Sequence, residues 1–183
     1  MERIFDLPAH PLLVHFPVVA IPVLSLMALA MVVSRRARRS FGLPSVVLGV
    51  ICLVSTWFAS RSGEALVEPL FLESVIKEHR SLGQTTLVFL LIFVVLLAAF
   101  VASSRLADRG DRDDNDLTGD DGELDLDGEA VRAAAGGPGR LRSISLVLSA
   151  LVVVFAVLTT TWVARTGHEG ARVTWEGQLP PAE

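Results

Sequence analysis

The chain contains no tyrosine and a single cysteine, Cys52. One thiol excludes an intrachain disulfide and any cysteine cluster for zinc or iron–sulfur chemistry, and Cys52 reads as a small apolar packing residue. Charge is missing over long stretches as well. No Asp, Glu, Lys or Arg interrupts Leu12 to Val33, Phe41 to Ala59, Leu82 to Ser104 or Ser143 to Ala164. Ion and proton pathways through a bilayer rest on ionisable groups within the spans, so their absence from mid-run disfavours a transporter. Glycine-rich phosphate loops are also missing, and neither a Ser-His-Asp nor a Cys-His arrangement can be assembled, so the sequence gives no ground for reading it as an enzyme.

What remains is strongly apolar: 51% of the residues are hydrophobic and the mean hydropathy is +0.54. Each uncharged run is close to the roughly 20 residues that carry a helix across about 30 Å of hydrocarbon. Lipid offers no water to unpaired amides, so such runs form helices or a closed barrel, and these lack a barrel's period-two alternation. The expected fold is therefore all-α, an integral membrane four-helix bundle with helices at about 12–33, 41–60, 83–104 and 143–164. Met1 to His10 carries Glu2, Arg3 and Asp6 instead of a basic leader, so the first run is expected to stay as an anchor.

Arg35, Arg36, Arg38 and Arg39 crowd the short link between the first two runs, the kind of segment that is retained in the cytoplasm. Arg105, Arg109, Arg140 and Arg142 flank the third link, which helix counting puts on the same side. Both termini are then extracytoplasmic, with residues 165–183 as an outer tail of a multi-pass protein in the bacterial cytoplasmic membrane. Asp108 to Arg132 holds eleven acids and three arginines. With few apolar residues to bury, the link at 107–139 is expected to be a disordered acidic cytoplasmic loop. It does not fit a calcium loop, because the sixth position counted from Asp111 or Asp121 is Asp116 or Leu126 where glycine is required. Its charge would repel nucleic acid.

The second and fourth runs close in nearly the same words, Thr56-Trp57-Phe58-Ala59-Ser60-Arg61-Ser62-Gly63 and Thr161-Trp162-Val163-Ala164-Arg165-Thr166-Gly167. His10 precedes the first run and His79 the third, so each half reads histidine, helix, arginines, helix, Thr-Trp, Arg, Gly. This points to two tandem hairpins related by an axis along the membrane normal. Along the second run Ser45, Gly49, Cys52, Thr56 and Ser60 recur every three or four residues, a small-residue face suited to close helix packing. Pro17 and Pro22 remove ladder hydrogen bonds from the first helix and are expected to loosen it.

All four histidines, His10, His15, His79 and His168, fall at the extracytoplasmic ends. His10 and His15 are five residues apart, about 140° around a helix, so they do not make an i, i+4 zinc clasp. With Pro11 as the first helical residue, His10 flanks the helix and His15 lies about one turn inside. Helical bundles hold cofactors between facing helices, and neutral imidazole ligates haem iron, copper and zinc. One reading these residues leave open is a non-enzymatic module holding haem b, with His15 and His79 the leading axial ligands and His10 and His168 next. Glu64, Glu78, Glu169, Trp57 and Trp162 would surround it. A copper or zinc site at the same histidines, and a structural subunit whose histidines only satisfy helix ends, are the alternatives. A homo-oligomer is compatible with any of these.

His10-Pro11-Leu12-Leu13-Val14-His15-Phe16-Pro17 resembles the HPxxVHFP opening of a bacterial membrane family, domain of unknown function 2231. The resemblance covers nearly the whole chain apart from the acidic insertion. It implies four helices, a histidine before the third, and a glycine-rich segment after the fourth, here Gly167-His168-Glu169-Gly170, with Glu169-Gly170 where a doubled glycine is often seen. It also implies a redox setting, since related domains occur beside Rieske or cytochrome c modules, and this makes a non-enzymatic redox module with haem b the expected function and such electron-transfer proteins its expected partners.

Overall fold

The computed structural model describes residues 3–4, 7–70, 73–117 and 138–175. Two short strands, β1 (Arg3–Ile4) and β2 (Leu7–Pro8), pair antiparallel. Four helices follow: α1 (Ala9–Val33), α2 (Arg35–Leu70), α3 (Glu73–Leu117) and α4 (Pro138–Trp175). Each contains a stretch long and apolar enough to cross a membrane, Leu13–Val33, Arg35–Gly63, Lys77–Leu106 and Ser143–Arg172. The chain is an all-α membrane four-helix bundle.

All four helices outrun the apolar stretches that reveal them. An apolar run measures the hydrocarbon thickness, whereas a helix stops only where its backbone finds other partners. Thus α1 begins at Ala9, which puts His10 inside its first turn and Pro11 two residues beyond its start, still within the turn that tolerates proline. At the other end of the bundle, α3 continues to Leu117, so the acidic segment expected to be disordered from 107 begins as helix. The part of that expectation covering 118–137 lies outside the described residues. Likewise α4 reaches Trp175 and takes in Gly167 and Gly170, which the sequence placed in a tail after the helix. Pro17 and Pro22 both lie inside α1, which runs through them.

A single residue, Ser34, joins α1 to α2. Its hydroxyl accepts the amide of Ala37 at 3.3 Å, an N-cap for α2, and its own amide bonds to the Ala30 carbonyl at 2.9 Å. The Arg38 guanidinium donates to the Met31 carbonyl at 3.0 Å, satisfying one of the last carbonyls of α1, and lies 5.1 Å from the Phe100 ring centroid.

The most extensive contacts are α1 with α2 and α3 with α4, and α2–α3 and α1–α4 complete the ring. Consecutive helices are antiparallel neighbours, while α1 and α3 stand across the bundle axis from each other. Ile21, Leu24, Met31, Cys52, Leu90, Phe93, Leu97, Phe100 and Val152 are fully enclosed. Leu26, Val95, Leu146, Val147 and Val157 on the outer faces are well exposed, the apolar belt a bilayer requires. Because lipid is as apolar as leucine, close packing replaces the hydrophobic effect in holding the helices together. The small-residue face of α2 serves this purpose. A Cβ on Gly49 would lie 2.9 Å from Val94 Cγ2, so α3 fits only because that position has no side chain.

Hydroxyls add interhelical bonds. Thr160 donates to Ser25 Oγ at 2.9 Å, and Ser25 donates to the Ala156 carbonyl at 3.3 Å, tying α1 to α4. Thr159, fully buried one residue away, has no partner for its hydroxyl.

Candidate functional site

At the end of the bundle opposite the Ser34 joint, α3 and α4 meet through a connected set of polar groups. His79, seventh residue of α3, stands half-buried against α4 with Nδ1 3.1 Å from the Thr166 carbonyl oxygen. A carbonyl can only accept, so Nδ1 carries the proton; in the neutral ring the lone pair is then on Nε2. The contact thus selects one tautomer and orients the ring, the arrangement that metal-bound histidines show when they donate their other nitrogen to a backbone carbonyl.

Gly170 makes this approach possible. Thr166 and Gly170 are four residues apart and lie on one face of α4. A Cβ at Gly170 would sit 3.0 Å from His79 Cε1 and 3.3 Å from Nδ1, so the imidazole lies on the bare backbone of α4. Deeper in the bundle, Thr86 Oγ1 and Thr166 Oγ1 are 3.0 Å apart, and each is 2.8 Å from the carbonyl four residues before it, Leu82 and Trp162. Two hydroxyl protons serve three contacts, so one of the three is unmade at any moment.

Charge is balanced beside the imidazole. Glu169 is buried and grips Arg172, whose Nε lies 3.1 and 3.0 Å from its two carboxylate oxygens and whose Nη2 makes a further bond. Such a two-pronged pairing is the strong form of an arginine–carboxylate contact. Arg172 also reaches Glu78 on α3 at 3.8 Å. The Glu169 carboxylate is close enough to interact electrostatically with both His79 and His168.

The structure thus gathers His79, His168, Glu78 and Glu169 at the α3–α4 end. His168 itself is exposed. His15 is exposed on α1, at the same end of the bundle. His10 belongs to α1 and Glu64 to α2, but their side chains lie outside the described residues. Trp162 packs edge-on to Phe89 at 5.1 Å with Arg165 5.3 Å from its ring, and Trp57 packs edge-on to Phe58 at 4.9 Å with Arg61 5.6 Å away. The repeated words therefore fold alike: Thr56 and Thr161 each bond the carbonyl four residues back, at 2.7 and 2.8 Å, and each neighbouring tryptophan carries an arginine.

Thr166, Arg172 and the contact role of Gly170 escape a reading that ends the last helix at Ala164. The signal was present in the i, i+4 spacing of Trp162, Thr166 and Gly170, but the charged residues from Arg165 onward hid it by ending the apolar run. Among the described residues, no three His, Cys, Asp or Glu side chains converge as a metal cage.

Neither a curated protein nor a solved structure matches the chain. The family described as "Predicted membrane protein (DUF2231)" matches residues 6–180, which span the opening histidine motif, all four helices and the Thr166–Arg172 contacts. With that match over nearly its whole length, the chain belongs to the DUF2231 family of membrane proteins.

Proposed function

We propose that this chain is a non-enzymatic redox module of the bacterial cytoplasmic membrane, with both ends extracytoplasmic, that holds haem b through His79. The observation that carries the reading is the His79 Nδ1–H bond to the Thr166 carbonyl. It leaves the ring in the tautomer whose Nε2 can be given to iron, and Gly170 sets the ring where only a bare backbone fits. When bound, haem would supply a one-electron couple. The protein's share is to hold the imidazole, fix its proton on Nδ1, and keep the neighbouring charge near neutral with the Glu169–Arg172 pair.

The second ligand comes from α1, which faces α3 across the bundle axis and carries His10 and His15 at the same end. The repeat makes His10 the equivalent of His79. His168, exposed beside Glu169, acts on the charge around the site. The arginine-rich Ser34 joint is the cytoplasmic side. Electron-transfer proteins of the Rieske or cytochrome c kind are the partners this reading implies.

Copper or zinc at the same imidazole is the second reading. A haem needs only one or two imidazoles, which suits the described side chains better than a zinc site with three or four protein ligands. Absorption spectra of the purified chain, expressed with ample haem, test the proposal. A Soret band is expected, lost or sharply reduced in His79→Ala and in whichever of His10→Ala and His15→Ala removes the second ligand, and largely kept in His168→Ala. Wild type without haem, or full haem content in His79→Ala, overturns it; copper or zinc found by elemental analysis instead would select the second reading.

A further inference from the structure

The opposite end of the bundle poses a different electrostatic problem. The first turn of α2 carries Arg35 and Arg36, with Arg38 and Arg39 directly after, and no acidic residue. A helix N-terminus already bears partial positive charge, so these arginines repel one another and the helix dipole together. Arg38 is turned inward to the Met31 carbonyl and the Phe100 ring. Arg39 and Arg105 stay outside. Arg39 Nε bonds Asp108 Oδ2 at 3.0 Å, and Arg105 Nη2 lies 3.9 Å from where a Cβ on Gly42 would be, so both guanidiniums flank the α2–α3 groove. Asp108 is the carboxylate that meets Arg39, and α3 carries Asp111, Asp113, Asp114 and Asp116 further along. Phe41, two residues after Arg39, and Leu106, next to Arg105, are exposed apolar residues.

From this we infer an anionic-lipid site: the phosphodiester headgroup sits between Arg39 and Arg105 at the membrane surface, its acyl chains along the apolar faces of α2 and α3, and Asp108 competes with it for Arg39. Charge complementarity selects the occupant. Guanidinium groups match the paired oxygens of a phosphodiester, and both arginines lie at the end of an apolar span, where lipid phosphates are concentrated. The Arg39–Asp108 pair is open to solvent, with side chains 63% and 34% exposed, so exchanging the carboxylate for a phosphate costs little.

Native mass spectrometry of the full chain in micelles, titrated with phosphatidylglycerol or phosphatidylcholine, tests this. Preferential retention of phosphatidylglycerol is expected. Affinity should fall roughly fivefold for each arginine removed in R39Q/R105Q, recover only in part in R39K/R105K, which keeps the charge but not the planar fork, and rise in D108N. R35Q/R36Q should lose distinctly less. Equal retention of the two lipids, an unchanged preference in R39Q/R105Q with native helicity, or an equal loss in R35Q/R36Q would overturn the site. Displacement of the lipid by millimolar inorganic phosphate would overturn the lipid as its occupant.

Discussion

Gly170→Ala is the sharpest probe of the His79 contact, and Gly167→Ala is its control within the same helix. In a helix interior, glycine to alanine stabilises by about 0.5–1 kcal/mol, because glycine loses the most backbone freedom on folding. At Gly167 nothing lies within 4 Å of an added Cβ, so that gain should appear in full. At Gly170 the same gain is opposed by His79, with Cε1 at 3.0 Å and Nδ1 at 3.3 Å from the new methyl. The ring cannot slide away without stretching its bond to the Thr166 carbonyl, which is already 3.1 Å long. Overpacking of this kind costs about 1–3 kcal/mol, enough to cancel or reverse the gain. The two alanine variants should therefore differ by about 1–3 kcal/mol in reversible unfolding of the full chain from mixed micelles, Gly167→Ala being the more stable. In a His79→Ala background the obstacle is gone, and Gly170→Ala should recover its stabilisation of about 0.5–1 kcal/mol. If Gly170→Ala stabilises the native chain as much as Gly167→Ala does, or if the double-mutant coupling is below about 0.5 kcal/mol, the imidazole is not held against α4 as described.

Two further outcomes follow from the fold. Thr159→Val replaces a buried, unpartnered hydroxyl by a methyl of similar shape, so it should leave stability unchanged or raise it by about 1–3 kcal/mol, whereas Ser25→Ala, which strips Thr160 of its acceptor, should lower it; a loss in Thr159→Val would mean that the hydroxyl has a partner in the folded protein. The proposed orientation, read from the arginines at the Ser34 joint, would put Glu183 outside the cytoplasm, so an alkaline-phosphatase fusion after it should be active and a cytoplasmic fluorescent reporter inactive, and the reverse pattern would invert the bundle.

Membrane class, helix count and the pairing of helices into hairpins were legible in the residues alone. A chain that must satisfy every amide inside hydrocarbon has few options, and uncharged runs of spanning length announce the helices. Periodicity likewise announced the face of α2 that packs, and Ser45, Gly49 and Cys52 are buried on it. Helix ends were not legible. Charged residues mark where lipid stops, but backbone hydrogen bonding carries α3 and α4 further, as far as Leu117 and Trp175. The site shared that fate. Composition and position singled out His79, but its partners are the carbonyl of Thr166, which the sequence does not display as a functional group, and the missing side chain of Gly170. Residue identity reports what a side chain can donate or accept. Which backbone atom it meets, and which tautomer that imposes, depends on two helices bringing His79 and Thr166, 87 residues apart in sequence, into register, and only the packed bundle decides that.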